Sequence, residues 1–344
     1  MTVESLNTFD FLEQAQNSLI VDVRSPIEFK KGHIPGAINV PLFEDAERAE
    51  IGTLYKQKGK DSAVMRGFEI VSPKLTEFIT TVKNNTKNKN VFVYCFRGGM
   101  RSNSFGWLLN TSGLNSRIMQ GGYKAYRNFV LSQFSVPKKL ILLGGATGSG
   151  KTEILRELKR SVQLIDLEEL ANHKGSAFGN INLPPQLPQQ LFENNFYDEL
   201  KKVDQSKLIL VEDESMSIGY NKIPYEFWLQ MKASPVIKLV VPFEMRVQRL
   251  VADYGKAPLE LLKRSLLNIA QQIGPDNTTQ CLKDLDAGNM ADVARVTLVY
   301  YDKAYAYNFT KREAKTVFEI VSDTDDIKTN ALKVKAVFDD YARR

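Results

Sequence analysis

Cysteine, histidine and tryptophan are each scarce in this sequence, with two of each among 344 residues. Cys95 and Cys281 lie far apart, which excludes a disulfide framework and suits a reducing compartment. No group of Cys and His has the spacing of a zinc site. No apolar run approaches the roughly 20 residues needed to cross a bilayer. Internal repeats and low-complexity tracts are also missing. Met1-Thr2-Val3-Glu4-Ser5-Leu6 is acidic and leads into no signal-type core, so a cytoplasmic location is expected. Neither charge dominates: 46 basic and 40 acidic residues give +6 and a pI near 9.0. This balance leaves a polyanionic partner open without requiring one. Hydrophobic content of 43% and charged content of 25% are those of an ordinary globular protein, and the length allows two domains.

Val91-Phe92-Val93-Tyr94 reads as a buried strand, and Cys95 falls where that strand ends. Phe96-Arg97-Gly98-Gly99-Met100-Arg101 follows, and Ser102-Asn103-Ser104 opens a helical pattern. A loop running from a strand into a helix N-terminus aims backbone N–H groups and the positive end of the helix dipole at one point. A thiol there, with Arg97 and Arg101 nearby, is expected to have a depressed pKa and to act as a nucleophile. The alternative is a buried structural cysteine.

The first third of the chain alternates strand and helix signals. Leu19–Arg24 is a strand, Ser25-Pro26 with Glu28 starts a helix, and Ala37–Pro41 holds a second strand. Ser116–Gln120 is a fourth strand after the one before Cys95, and Gly121-Gly122-Tyr123 leads into a closing helix. Such alternation predicts a parallel α/β sheet with active loops at the carboxyl ends of its strands.

A short linker at 132–138 separates this domain, 1–131, from a second at 139–344. The second opens with Leu140-Ile141-Leu142-Leu143 and runs into Gly144-Gly145-Ala146-Thr147-Gly148-Ser149-Gly150-Lys151-Thr152. Gly145 to Thr152 fits G-x-x-x-x-G-K-[ST], between a strand and a helix as a P-loop requires. Gly145, Ala146, Thr147, Gly148, Ser149 and Gly150 would present amides to a phosphate. Lys151 would neutralise its charge, and Thr152 would reach a magnesium ion where one is bound. Asp213, ending Leu208-Ile209-Leu210-Val211-Glu212, is the first choice for the partner carboxylate, with Glu212 close behind and Asp166 as a weaker candidate. His173, Lys174 and Ser176 lie on a polar loop suited to a ligand or RNA, and Arg246 and Arg249 are one helical turn apart, within reach of a phosphate. From Pro258 onward the pattern is mostly helical, and Cys281 has no activating neighbours.

Asp22-Val23-Arg24-Ser25-Pro26 with Glu28-Phe29, Gly32-His33-Ile34-Pro35-Gly36-Ala37, Tyr94-Cys95 and Gly121-Gly122-Tyr123 together resemble the rhodanese family. In that family the cysteine accepts a chalcogen atom as a persulfide and passes it on. His33 is expected to pack within its turn rather than to catalyse. Cys95 and Arg101 also satisfy Cys-x5-Arg, the anion loop of cysteine phosphatases, so a phosphatase or a sulfurtransferase with a regulatory P-loop domain stays open here. The whole chain, a rhodanese-like parallel-sheet domain followed by a P-loop NTPase-like α/β domain with a helical C-terminal part, resembles the bacterial tRNA 2-selenouridine synthase family. The loop Ala171-Asn172-His173-Lys174-Gly175-Ser176 adds to that likeness.

The resemblance implies replacement of sulfur by selenium in wobble 2-thiouridine of tRNA. It implies selenophosphate as selenium donor, a geranylated thiouridine intermediate made from geranyl diphosphate, and a selenophosphate-supplying enzyme as a candidate partner. Cys95 would carry selenium as a selenosulfide held by Arg97 and Arg101, and the P-loop would grip the prenyl diphosphate or a nucleotide. Residues 1–134 hold 17 basic and 12 acidic residues, with clusters at Lys56, Lys58, Lys60 and Arg66 and at Lys83, Lys87 and Lys89. RNA contacts through these would weaken steeply with salt.

Overall fold

The computed structural model describes residues 3–312 and 316–344, which group into two units. One comprises 1–133 with 188–194, and the other 134–187 with 195–344.

In the first unit, β1 (Glu4–Leu6), β2 (Leu19–Asp22), β3 (Ile38–Asn39), β4 (Asn90–Tyr94) and β5 (Asn115–Met119) form one sheet in the order β1-β5-β4-β2-β3. Every pairing in it is parallel. β1 had no clear signal in the sequence, being three residues long with two of them polar. β4 lies at the centre, and Val91, Phe92, Val93 and Tyr94 are buried, as a parallel strand covered on both faces requires. Val21, Val23, Phe78, Val82, Phe105, Leu109 and Ile118 fill the core against it. Pro26–Lys31 begins with a capping box between Ser25 and Glu28 and has its proline in the first turn.

Asp22 and Arg24 are buried together at the end of β2. The Arg24 guanidinium donates to both Asp22 carboxylate oxygens and to the Gly32 carbonyl, 2.7 Å away, and lies over the Tyr123 ring at 3.8 Å. His33 stacks on Phe29 at 3.8 Å, with its Nδ1 3.0 Å from the Phe29 carbonyl oxygen, so it packs within the turn.

The segment 45–71 departs from a simple crossover. It is helical throughout, but Gly59 has φ 84° and ψ −178°, which breaks it into two helices. Arg66 donates to Glu50 at 2.6 Å across 16 positions, so the halves fold back on one another as a helical hairpin.

In the second unit, β6 (Leu140–Gly145), β7 (Leu164–Ile165), β8 (Ile209–Glu212), β9 (Ser217–Ile218), β10 (Asn221–Lys222), β11 (Val236–Val240) and β12 (Val317–Val321) appear in chain order. The main sheet runs β12-β11-β6-β8-β7 with all neighbours parallel, and β9 and β10 pair as a separate antiparallel ribbon. β6 is central and fully buried, which places its carboxyl end, the P-loop, at the middle of the sheet edge. The C-terminal region is mostly helical, as its pattern indicates, yet it returns one strand, β12, to the sheet margin. Its helices Leu259–Leu267, Pro275–Asp286 and Met290–Thr310 enclose a core in which Cys281 is fully buried. Burial pushes that thiol up to about 11, so it is inert at neutral pH. No helix among the described residues is long and apolar enough to cross a membrane.

Candidate active sites

The first site is built where β4 ends. Cys95 Sγ lies 3.3 Å from Ser102 Oγ, the hydroxyl of the first turn of helix Met100–Thr111. Burial alone would raise the Cys95 thiol. The Ser102 hydroxyl, the Arg101 charge and the backbone N–H groups of Arg97 and Ser102 outweigh it, and the thiol sits below its ordinary value. Arg101 also donates to Glu28 at 3.1 Å, which holds its guanidinium beside the loop. Arg97 is exposed on the loop, with its guanidinium 6.0 Å from the Phe96 ring centroid.

The Gly121-Gly122-Tyr123 turn holds this loop from behind. Tyr123 N–H donates to the Cys95 carbonyl at 2.8 Å, and Lys124 N–H to the Phe96 carbonyl at 3.0 Å. Gly122 has φ +58°, and a Cβ there would lie 2.3 Å from Cys95 O and 2.5 Å from Gly98 N. The glycine is therefore required by close backbone approach as well as by its dihedral. Asn194 donates to His33 O at 2.7 Å and to the Tyr123 hydroxyl at 3.0 Å, which ties residues 188–194 to this turn. Although only 3% exposed, Cys95 lines a cavity of about 1080 Å³ walled by the 45–71 hairpin.

The second site is the P-loop cavity, about 400 Å³. Gly145, Thr147, Gly148, Ser149, Gly150, Lys151 and Thr152 line it; Ala146 lies in the same loop. Lys151 Nζ donates to Gly145 O at 3.1 Å, and Thr152 Oγ1 to Glu168 at 3.0 Å. Burial would lower Lys151, but Glu214, Glu212 and Glu168 hold it above its ordinary value.

Those three carboxylates each offer an oxygen within 4.8 Å of the others. Burial pushes Glu168 up to about 7 and, with the Glu168 charge beside it, Glu214 up to about 8, against the pull of Lys151. Glu212 is fully buried and also pushed up, and its Oε1 has no partner among the described residues. Oxygen-only donors of this kind, beside the P-loop threonine, fit a hard divalent cation. Met216, Trp228, Met231, Tyr301, Tyr305 and Phe309 also line the cavity and give it apolar and aromatic surface.

The residues singled out from sequence fall in several places. Asp213 lines the cavity, but Arg312 donates to it at 2.7 Å, so Glu168, Glu212 and Glu214 are the acids gathered at Thr152 and Lys151. Lys174, paired with Asp253 at 3.2 Å, Ser176 and Arg249 also line it. Arg249 pairs with Asp325. Asp166, His173 and Arg246 are not part of the lining. Asp166 caps its helix by accepting from Glu169 N–H at 2.8 Å, and Arg246 forms a two-pronged pair with Asp302 at 2.7 Å. His173 is buried, and desolvation lowers its pKa. Glu168 escaped the sequence reading, as did the contact of Glu28 with Arg101, because the partners lie 16 and 73 positions away.

The chain matches two family models, the Rhodanese-like domain over residues 8–129 and the tRNA 2-selenouridine synthase AAA domain over residues 138–273. Among similar proteins, a tRNA 2-selenouridine synthase of Shewanella frigidimarina is 35% identical, over 88% of this chain and 92% of that protein. One of Bdellovibrio bacteriovorus is 36% identical over 88% and 92%. One of Nitrosomonas europaea is 38% identical over 87% and 91%.

Proposed function

Because the chain belongs to the tRNA 2-selenouridine synthase family, we propose that it replaces sulfur by selenium at C2 of wobble 2-thiouridine in tRNA. What carries the reading is the pairing of similarity over most of the chain with two intact sites: a thiol depressed by Ser102 and Arg101, and a complete P-loop. The selenium donor is selenophosphate, delivered by a selenophosphate-supplying enzyme, and the work is done in the cytoplasm. A cysteine phosphatase reading rests on Cys-x5-Arg alone, and the family similarity does not support it.

The P-loop site takes geranyl diphosphate. Its loop amides and Lys151 hold the diphosphate, and Trp228, Met231, Tyr301 and Phe309 offer apolar surface against which a prenyl chain packs. The thiouridine sulfur attacks the chain's C1, an S–C bond forms, the C–O bond breaks, diphosphate leaves into the cradle, and the N3–H proton of the base passes to solvent. Thr152, Glu168, Glu212 and Glu214 would hold a magnesium ion, which when bound supplies charge neutralisation to the diphosphate.

Alkylation makes C2 of the base electrophilic and its sulfur a leaving group. Selenium in selenophosphate is already at the selenide level, so loading it on Cys95 as a selenosulfide requires a two-electron oxidant. A redox-neutral route needs none. The Cys95 thiolate attacks C2, and the C2–S bond breaks as geranylthiolate leaves and takes a proton. Selenium of selenophosphate then attacks C2 and expels the Cys95 thiolate. Water takes up the phosphoryl group, releasing phosphate and 2-selenouridine. Arg97, Arg101 and the loop amides stabilise the anions formed.

The test is mass spectrometry of nucleosides from thiolated tRNA incubated with the protein, geranyl diphosphate and selenophosphate. Cys95→Ala is expected to accumulate geranylated thiouridine and form no 2-selenouridine. Selenation that persists in that variant removes the nucleophile from Cys95. Without selenophosphate, the native protein should yield an RNA adduct on Cys95; a selenosulfide seen with selenophosphate alone overturns the redox-neutral route.

A further inference from the structure

The cavity beside Cys95 is far larger than chalcogen transfer requires. A phosphate or a selenide takes the place of only a few waters, at about 30 Å³ each. The space here is about 1080 Å³, at the top of the range of roughly 300–1,000 Å³ for sites that enclose whole organic ligands. Leu42, Phe43, Ile51, Val64, Phe68 and Val71 give it an apolar wall.

Both halves of the 45–71 hairpin contribute to that wall, and Gly59 at the bend makes the fold-back possible. Tyr55 and Phe68 on the hairpin are 59% and 60% exposed, and Phe96 and Met100 on the cysteine loop are also exposed, all around this one opening. Large apolar groups gathered in this way mark a surface that something covers. The cavity also carries Arg48, Lys56 and Lys60 with the carboxylates Glu28 and Asp45, while Arg97 and Arg101 belong to the cysteine loop. A ligand that satisfies both features joins a polyanion to a hydrophobic group.

We propose that this cavity is the binding site for the hydrophobic chain of the S-alkylated thiouridine, held so that C2 of the base faces Cys95 while the basic rim grips flanking RNA phosphates. The inference rests on the reading above that an alkylated base is what meets Cys95. It assigns the hairpin 45–71 a role in substrate selection: chain-bearing bases are retained, and unalkylated thiouridine, which lacks the leaving group, is passed over. Burial of an isoprenoid chain is favourable in proportion to the apolar area removed from water. After displacement the same wall holds the departing thiol away from C2.

The experiment compares binding of two anticodon stem-loop RNAs, carrying S-geranyl- or S-methyl-2-thiouridine, to the full-length protein by fluorescence anisotropy. The native protein is expected to hold the geranyl RNA roughly tenfold or more tightly than the methyl RNA. Phe68→Asp and Tyr55→Asp, both at exposed positions, should each narrow that ratio to about threefold or less, and Lys151→Ala should preserve it. A ratio near one in the native protein overturns the proposal. So does a ratio unchanged in both hairpin variants, or one lost in Lys151→Ala, which would place the chain at the P-loop. Selenation of the geranyl RNA, read separately by mass spectrometry, tests the underlying function. If selenation fails while the hairpin-dependent preference stands, the displacement chemistry is wrong and the chain site is right.

Discussion

Cys95 Sγ and Ser102 Oγ stand 3.3 Å apart, joining the end of β4 to the first turn of the helix that follows it. The Ser102 hydroxyl also lies 3.1 Å from the Gly99 carbonyl, and when turned to the sulfur it donates to the thiolate. The thiol is therefore shifted down although it is buried. A depressed folded pKa stabilises the protein above the unfolded thiol's pKa, and this contribution is lost as pH falls through the folded value. Iodoacetamide labelling of Cys95 should show its inflection below that of a free thiol, near 8.5. Ser102→Ala and Arg101→Ala should each move the inflection upward. An unchanged inflection in both variants would leave the backbone amides as the whole cause.

Gly122 predicts a second effect, on position rather than on charge. An alanine there meets the Cys95 carbonyl and the Gly98 amide at contact distances that backbone atoms do not tolerate. The loop must move by a substantial fraction of an ångström, and misplacement of about 1 Å costs on the order of 10²-fold in rate. Gly122→Ala should lower selenation by about that factor, while binding of geranyl diphosphate at the P-loop stays at its native level. Calorimetric titration of the diphosphate alongside the nucleoside assay separates the two.

How far the sequence anticipated this molecule depends on the distance between interacting residues. The cysteine loop and the P-loop were legible because each is one contiguous segment with a strand before it and a helix after it. The turn chemistry of Ser25-Pro26 and the packing of His33 on Phe29 were legible for the same reason. Of the acids at Lys151, Glu212 was legible as the runner-up to Asp213, but Glu168 was not: it arrives from a separate helix and reaches Thr152 only through the fold, while Asp213, the first choice by pattern, is taken by Arg312. The hairpin 45–71 was also hidden. Its charges read as RNA contacts, and only the bend at Gly59 shows that its two apolar faces close on the cysteine.

The P-loop gives a third prediction. Lys151 is the cation that faces Glu168, Glu212 and Glu214, and it is positioned to trade those partners for a diphosphate. Lys151→Ala should weaken geranyl diphosphate binding by about tenfold or more, the loss of one charge-assisted contact. It should leave selenation of pre-geranylated RNA within about twofold of native, since the proposed route assigns that step to Cys95. Equal losses in both assays would mean that the two activities share this lysine.

The last prediction concerns stability of the first unit. Asp22 and Arg24 are 0% and 2% exposed and joined at 2.6 Å, with the guanidinium also bridging to Gly32 and lying over Tyr123. Burial is the largest influence on Arg24 and disfavours its charge, but Asp22 more than offsets it and the pKa rises. Arg24→Ala leaves a carboxylate buried with no cation, which costs about 3–5 kcal/mol. Asp22→Ala strands the guanidinium at a similar cost, and the double variant should lose less than the sum, because neither charge is then left alone. Trp107 lies in the first unit and Trp228 in the second, so urea titration of a Trp228→Phe background reports the first unit through Trp107 fluorescence. Strict additivity of the two single losses would show that the pair is not coupled, and would shift the stabilising role of Arg24 onto Gly32 and Tyr123.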